Sequence, residues 1–214
     1  MFYLANPKFL YTMRIVFPLL LVIALFTQCT KELIDTSANY SAGGDKGAFA
    51  LHFCKNNDMN EDFCILVDMS IHSGKKRLFV YDFKSKQIVS QHLVSHGCCE
   101  SIWSSDQTSS NPNFSNVPDS HCSSLGKYKI GKRGFSSFGV NTKYLLHGLE
   151  STNSNVLDRD IVFHSWSMVG DEEVYPQGTP EGWGCPAVSE NSFVAIDQLL
   201  QTAEKPTLLW IYSE

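Results

Sequence analysis

Three runs suited to β-strands, Cys64–Ser70, Arg77–Phe83 and Gln87–Val94, follow one another with only the polar segments Ser73-Gly74-Lys75-Lys76 and Lys84-Ser85-Lys86 between them. Connections this short leave no room for a helical crossover, so the runs must fold back on one another as an antiparallel meander. Further β-type runs follow at Ser123–Ile130, Lys143–Leu149, Asp160–His164 and Thr207–Tyr212. Helical spacing is confined to two places. Gly47–Cys54 reads as a short helix, and Val188–Ala203 carries Phe193, Val194, Ile196, Leu199 and Leu200 on one face, with Ser189 and Ser192 placed to cap it. The expectation is a mainly β, β-rich α+β domain: a mixed β-sheet or sandwich with a short N-terminal helix and one prominent helix directly after Cys185. Cys99–Cys122, rich in Ser, Asn, Asp and Pro, reads as a long surface loop over a groove.

A chain of 214 residues with 43% hydrophobic and 18% charged residues fits one globular domain plus an N-terminal extra. The net charge of −5, without a run of Lys or Arg, excludes nucleic acid as the expected partner. Arg14–Phe26 has a short basic start and an apolar run too short to span a bilayer, which are the proportions of a signal-peptide core. Met13 is an alternative start to Met1. The run ends at Thr27-Gln28-Cys29-Thr30-Lys31, which resembles a bacterial lipoprotein signal with Cys29 as the lipidated residue, although Gln28 departs from the usual small residue. The expected organisation is therefore a signal over 1–29, a polar tether over 30–46 and a domain over 47–214. The domain is expected outside the cytoplasm, in the periplasm or held at an outer membrane by a lipid or signal anchor. Plain secretion and an uncleaved anchor stay open.

Seven cysteines are present: Cys29, Cys54, Cys64, Cys98, Cys99, Cys122 and Cys185. Cys54 with Cys64, and Cys122 with Cys98 or Cys99, could bridge, and reduced buried thiols are an equal alternative. His121 and Cys122 with Cys98 and Cys99 imitate a metal set but lack two CxxC-type pairs, so no metal and no cofactor are expected.

The strand Asp160–Phe163 ends on His164, and Gly184-Cys185-Pro186 follows after a loop. A cysteine behind a glycine and a histidine at a strand end supply a thiol nucleophile and its base if the fold joins them. The glycine leaves room for substrate and lets backbone N–H groups turn toward an oxyanion. Ser95-His96-Gly97-Cys98 offers a second candidate, whose base would be His72 or His92.

In the order of its segments the chain resembles the YkuD-type L,D-transpeptidase catalytic domain, and within it the murein L,D-transpeptidase branch common in Bacteroidetes-like bacteria. The matching residues are Val67-Asp68, Arg77–Val80, Val94–Gly97, Phe114–Asn116, Ser123–Tyr128, Gly148–Glu150, Arg159–His164 and Gly184–Val188, over roughly Phe49 to Ser213. The broad family's Ser-His-Gly-Cys signature is matched literally at Cys98, yet in the closer branch the nucleophile sits in the later Gly-Cys-Pro segment, which implies Cys185. The resemblance implies that Cys185 attacks a peptidoglycan stem peptide with His164 as base, the Ser165 carbonyl orienting the imidazole and Gly184 helping to hold the oxyanion. Among candidate substrate-binding residues are His96, Trp183, Trp166 and Tyr144. The branch departs from the broad family at Gly182-Trp183 and at Pro186-Ala187, where an arginine for a substrate carboxylate is often found. By charge alone Lys132, Arg133 and Arg159 are candidates to replace it. The outcome would be crosslinking or, with water as acceptor, L,D-carboxypeptidase activity. The alternatives are a catalytically silent lipoprotein that binds peptidoglycan or an envelope partner, and a redox protein using Cys98-Cys99. The sequence carries no indication of oligomeric state.

Overall fold

The meander is present: β1 (Phe63–Asp68), β2 (Leu78–Asp82) and β3 (Gln87–His92) pair antiparallel in chain order. The structure is a computed structural model, and it describes residues 36–214, with side chains from Lys46 onward. The signal-type segment 1–29, its Cys29 and the start of the tether lie outside the described residues. After the meander come β4 (Gly126–Phe135), β5 (Thr142–Gly148), β6 (Val162–Ser165), β7 (Ala187–Val188) and, last in the chain, β8 (Leu208–Tyr212). These strands make one mixed sheet in the order β3-β2-β1-β8-β4-β5-β6-β7, parallel at β1–β8 and β6–β7. The sheet curls until the chain beyond β3 meets β7, where the Ser95 N–H donates to the Ala187 carbonyl at 2.8 Å.

Every residue of β1 is buried because each face is covered. Phe63, Ile65 and Val67 point into the main core, and Cys64 and Leu66 point to a second cluster with Ala50 and Cys54 of α1 (Thr36–Asn56). The main core is filled by α2 (Glu190–Leu200), whose Phe193, Ile196 and Leu200 pack on β5 and β6. Phe193 meets the Phe163 ring at 5.3 Å between centroids. The expected cap forms: Ser189 Oγ accepts the Ser192 N–H at 3.1 Å.

Two expectations, the extent of the N-terminal helix and of β4, need correction, and one open alternative, for Cys54 and Cys64, is decided. The N-terminal helix is long, 21 residues, and starts at Thr36 inside the segment read as tether. Once Ala50 and Cys54 dock its last turns, adding residues N-terminally needs no new nucleation. Cys54 and Cys64 are buried free thiols and do not bridge. Strand β4 runs on to Phe135, past the predicted Ile130, because it pairs with β5 as far as Phe135 and Thr142. Strand β7 has no counterpart in the sequence patterns, since two residues carry no periodicity and depend on β6 for their pairing. Among the described residues no helix is long and apolar enough to cross a membrane.

Phe163, with 0% exposure, is the test of this core. Phe163→Ala should cost about 3–5 kcal/mol of unfolding free energy in urea titration, whereas Phe49→Ala, at an exposed position, should stay within about 0.5 kcal/mol of the parent.

Candidate active site

His164 and Cys185 line one groove of about 630 Å³. Each is brought there by backbone pairing: β6 presents His164, and the parallel pairing of His164 with Ala187 sets the residues just before Ala187 beside the same strand. The Val162 N–H donates to Cys185 Sγ at 3.4 Å, so the thiol lies against the backbone of the strand that carries the histidine. His164 Nδ1 is 2.8 Å from the Ser165 carbonyl. A carbonyl only accepts, so Nδ1 carries the proton and Nε2 is left with a lone pair. The ring is 8% exposed and sits beside Phe138, at 5.4 Å between centroids.

Burial holds both groups neutral. It lowers the His164 pKa below its usual 6.5, only partly opposed by the Ser165 carbonyl, and Lys143 lowers it further. Burial also raises the Cys185 thiol above its usual 9.0, against the pull of the Val162 N–H and of Lys143 and Arg159. A neutral imidazole can accept a proton and a neutral thiol has one to give, which is the starting arrangement for general-base activation of a nucleophile.

The loop that carries Cys185 is fixed from behind by the Ser95-His96-Gly97 segment. The Ser95 hydroxyl donates to the Cys185 carbonyl at 3.4 Å, and the Gly97 N–H donates to Ser123 Oγ, which in turn donates to the Gly184 carbonyl at 3.2 Å. In a planar trans peptide the N–H points opposite to the carbonyl, so the Cys185 N–H faces away from Ser123. The N–H groups of Gly184 and Cys185 donate to no acceptor among the described residues.

A buried polar chain sits underneath. Arg77, wholly buried, donates to the Val94 and Ile71 carbonyls and to His96 Nδ1, the last at 2.8 Å. With Nδ1 accepting, His96 Nε2 donates to Thr108 Oγ1 at 2.8 Å, and the Thr108 hydroxyl donates to Glu181 at 2.9 Å. Glu181 is itself wholly buried and receives Ser105 Oγ at 3.1 Å. Burial, with Arg77 adding to it, pushes His96 down to about 3, so it is a neutral link between two charged ends. Burial brings Arg77 down to about 9, resisted by Asp68 and Glu181, and it stays charged at neutral pH.

The long loop bears on the site through a Cys99–Cys122 disulfide. Gly184 lies against its end: a Cβ there would sit 2.4 Å from the Cys122 carbonyl, and φ is +97°. Both facts require glycine. His121 stacks on Trp183 at 5.0 Å, and Arg159 ties the loop down through the carbonyls of Ser115 and Cys122 and the hydroxyls of Ser120 and Ser124.

Of the residues expected at the site, Cys185, His164, Trp166, Trp183 and Arg159 share the groove. Gly184 and Ser165 adjoin it in the backbone roles described above. His96 is not a groove residue: at 0% exposure, with both ring nitrogens bonded, it belongs to the scaffold. Tyr144 is likewise removed, its hydroxyl donating to Asp197 at 2.6 Å and its ring packing on Phe193. Arg133 grips the same Asp197 through two nitrogens at 2.8 and 2.9 Å, and exposed Lys132 does not line the groove. Cys98 is 2% exposed, and the histidines that might serve it bond elsewhere, His72 to Ser109 and His92 to Ser192. Cys99 and Cys122 are joined to each other, and among the described residues no three His, Cys, Asp or Glu side chains converge as a metal set. Sequence reasoning missed Lys143, Trp103 and Phe138, all of which line the groove. Lys143 becomes visible as a partner of His164 only once strands 142–148 and 162–165 are put in register.

A thiol and a lone-pair imidazole thus line the same groove, the two kinds of group that nucleophilic catalysis by cysteine requires. Residues 44–212 match the model of the L,D-transpeptidase catalytic domain, and the chain belongs to that family. Solved structures similar to it include an L,D-transpeptidase from Xylanimonas cellulosilytica, with 12% identity and a TM-score of 0.41, covering 70% of this chain and 60% of that one. The helical cell shape determining protein Pgp2 from Campylobacter jejuni has 13% identity and a TM-score of 0.44, covering 80% and 56%. An Ldtfm–avibactam carbamoyl enzyme has 12% identity and a TM-score of 0.41, covering 72% and 50%. The chain thus spans between half and three-fifths of the length of these neighbours. Among curated proteins, none matches it.

Two measurements check the site. Alkylation of Cys185 by iodoacetamide, followed by intact mass, should keep rising through pH 9, because burial raises the thiol. A rate already level between pH 5 and 7 would mean a preformed thiolate–imidazolium pair. Gly184→Ala should slow that alkylation at least about tenfold while the fold persists, since the loop must shift to clear the Cys122 carbonyl.

Proposed function

We propose that this chain is a cell-envelope cysteine acyltransferase acting on peptidoglycan stem peptides, a murein L,D-transpeptidase able to act as an L,D-carboxypeptidase when water is the acceptor. The observation that carries the reading is the shared groove of Cys185 and His164, with His164 Nδ1 held by Ser165. His164 Nε2 takes the thiol proton as Cys185 Sγ bonds to the carbonyl carbon between the diamino acid and the terminal D-alanine. The C–N bond then breaks, and His164 returns the proton to the departing amine, leaving a thioester on Cys185. A second stem's amine, or water, attacks the thioester; its proton passes through His164 to the released sulfur. The free N–H groups of Gly184 and Cys185 are suited to the oxyanion, each donor being worth about 3 kcal/mol in sites of this kind. The chemistry needs no cofactor. Its substrate lies outside the cytoplasm, in keeping with a signal over 1–29 and a lipid on Cys29, which would hold the domain at a membrane of the envelope.

A carbapenem, whose strained amide acylates a competent thiol, tests this by intact mass. The wild-type domain should gain one drug mass, and Cys185→Ala should gain none. No adduct on the wild type would favour a silent binding protein, and an adduct that survives in Cys185→Ala but is lost in Cys98→Ala would move the nucleophile to Cys98.

A further inference from the structure

The loop between Cys99 and Cys122 has almost no core of its own. Of residues 100–121 only Pro112 is buried, and Phe114 reaches the main core from a half-buried position. A segment of this length depends on closure of its ends, and the Cys99–Cys122 bridge supplies that by removing the chain's freedom to open. The closed ends bear on the three residues before Cys185. On one side the Cys98 N–H donates to the Gly182 carbonyl at 2.7 Å. On the other the Cys122 carbonyl occupies the space that a Cβ on Gly184 would need, and His121 stacks on Trp183 between the two. The Cys99 N–H joins the halves by donating to the His121 carbonyl at 3.3 Å. Both residues are left-handed, with φ of +51° at Cys99 and +54° at His121. Side chains of this kind keep such a backbone only where their surroundings enforce it.

We propose that the Cys99–Cys122 bridge is a redox-sensitive switch for the groove. With the bridge formed, the 99–122 loop seats Gly182-Trp183-Gly184 and so places Cys185; with it open, the loop lifts and that placement is lost. In the acyl-transfer reading, on which the effect on catalysis rests, the chain is idle while its cysteines are reduced and gains activity once the bridge closes in an oxidising compartment. Cys99 is only half-buried, so the bridge can be approached from solvent. Closure is an exchange with an external disulfide. The Cys99 thiolate displaces one sulfur of the reagent, and the Cys122 thiolate then attacks Cys99 and displaces the other. The reagent leaves as a dithiol, carrying the two electrons and the two protons of the cysteines. An external dithiol runs the same steps backward.

The test compares the full chain oxidised, reduced with a phosphine and reoxidised, the reagent being removed before each assay. Hydrogen exchange reads the loop without reference to any activity. Reduction should speed exchange across 100–121, and at the Cys98 and Gly182 amides that bond across to the Cys185 loop, at least about tenfold, while β1, β4 and β5 stay protected. Acylation of Cys185 by a carbapenem, followed by intact mass, should slow about tenfold or more on reduction, since small displacements of a reacting group cost at least that much. Reoxidation should restore both. Cys99→Ala and Cys122→Ala should each behave as the reduced chain and ignore the phosphine, whereas Cys98→Ala should keep the full response. Unchanged exchange and acylation in the reduced wild type overturn the inference, as does a response that persists in Cys99→Ala or is lost in Cys98→Ala. Reduction that also exposes β1 and β4 overturns it too, because the bridge would then hold the fold and not the groove. Absence of any adduct in every redox state, with exchange still following the bridge, would fault the acyl-transfer reading and leave the bridge in control of the Cys185 loop.

Discussion

The arrangement of this molecule hangs on one buried polar chain, from Arg77 through His96 and Thr108 to Glu181. A positive and a negative end both stand at 0% exposure, and an unpartnered charge there would be prohibitively costly. The chain can form in only one sense. Arg77 has only donors and Glu181, as a carboxylate, only acceptors, so His96 must accept on one nitrogen and donate on the other. That requirement fixes where three separate loops can lie. The segment after β3 contributes His96, the long 99–122 loop contributes Thr108, and Glu181 stands four residues before Cys185. Backbone bonds then copy the order outward, from the Gly182 N–H to the His96 carbonyl and from the Cys98 N–H to the Gly182 carbonyl. The position of the Cys185 loop is therefore a consequence of charge satisfaction in the interior.

Much of the fold could be read from residue patterns because its cause is local. The meander follows from turns too short to cross over, and α2 from the spacing of Phe193, Ile196 and Leu200 behind a Ser189 cap. Cys185 and His164, singled out by a preceding glycine and by a place at the end of an apolar strand, do line one groove. What escaped the sequence was everything that depends on partners distant in the chain. Helix α1 extends beyond its apolar turns because its end is docked, and β7 exists only through its pairing with β6. His96 lies in a segment that reads as part of an active site, yet its neighbours are Arg77, 19 positions earlier, and Thr108, 12 later. Tyr144 alternates with Lys143 along β5, and the strand's period of two sends it to the interior and Lys143 to the groove.

The motif Ser95-His96-Gly97-Cys98 matches a family signature in sequence, yet its side chains face the interior. Every one of its residues serves the scaffold. Ser95 and Gly97 hold the Cys185 loop through hydrogen bonds, His96 links the buried charges, and Cys98 is buried. The groove's outer rim is formed by exposed aromatic side chains, among them Trp103, Phe135 and Trp183. Such surfaces contribute apolar contact without demanding one hydrogen-bond pattern.

The sulfur atoms carry a further consequence. One pair is joined, Cys99 with Cys122, whereas Cys54, Cys64, Cys98 and Cys185 are free. All four free thiols are raised by burial, Cys54 up to about 12. Exchange with a disulfide proceeds through thiolate, and each of these groups holds very little of it at neutral pH. Among the described residues, little thiolate is therefore available at neutral pH to exchange with the Cys99–Cys122 bridge.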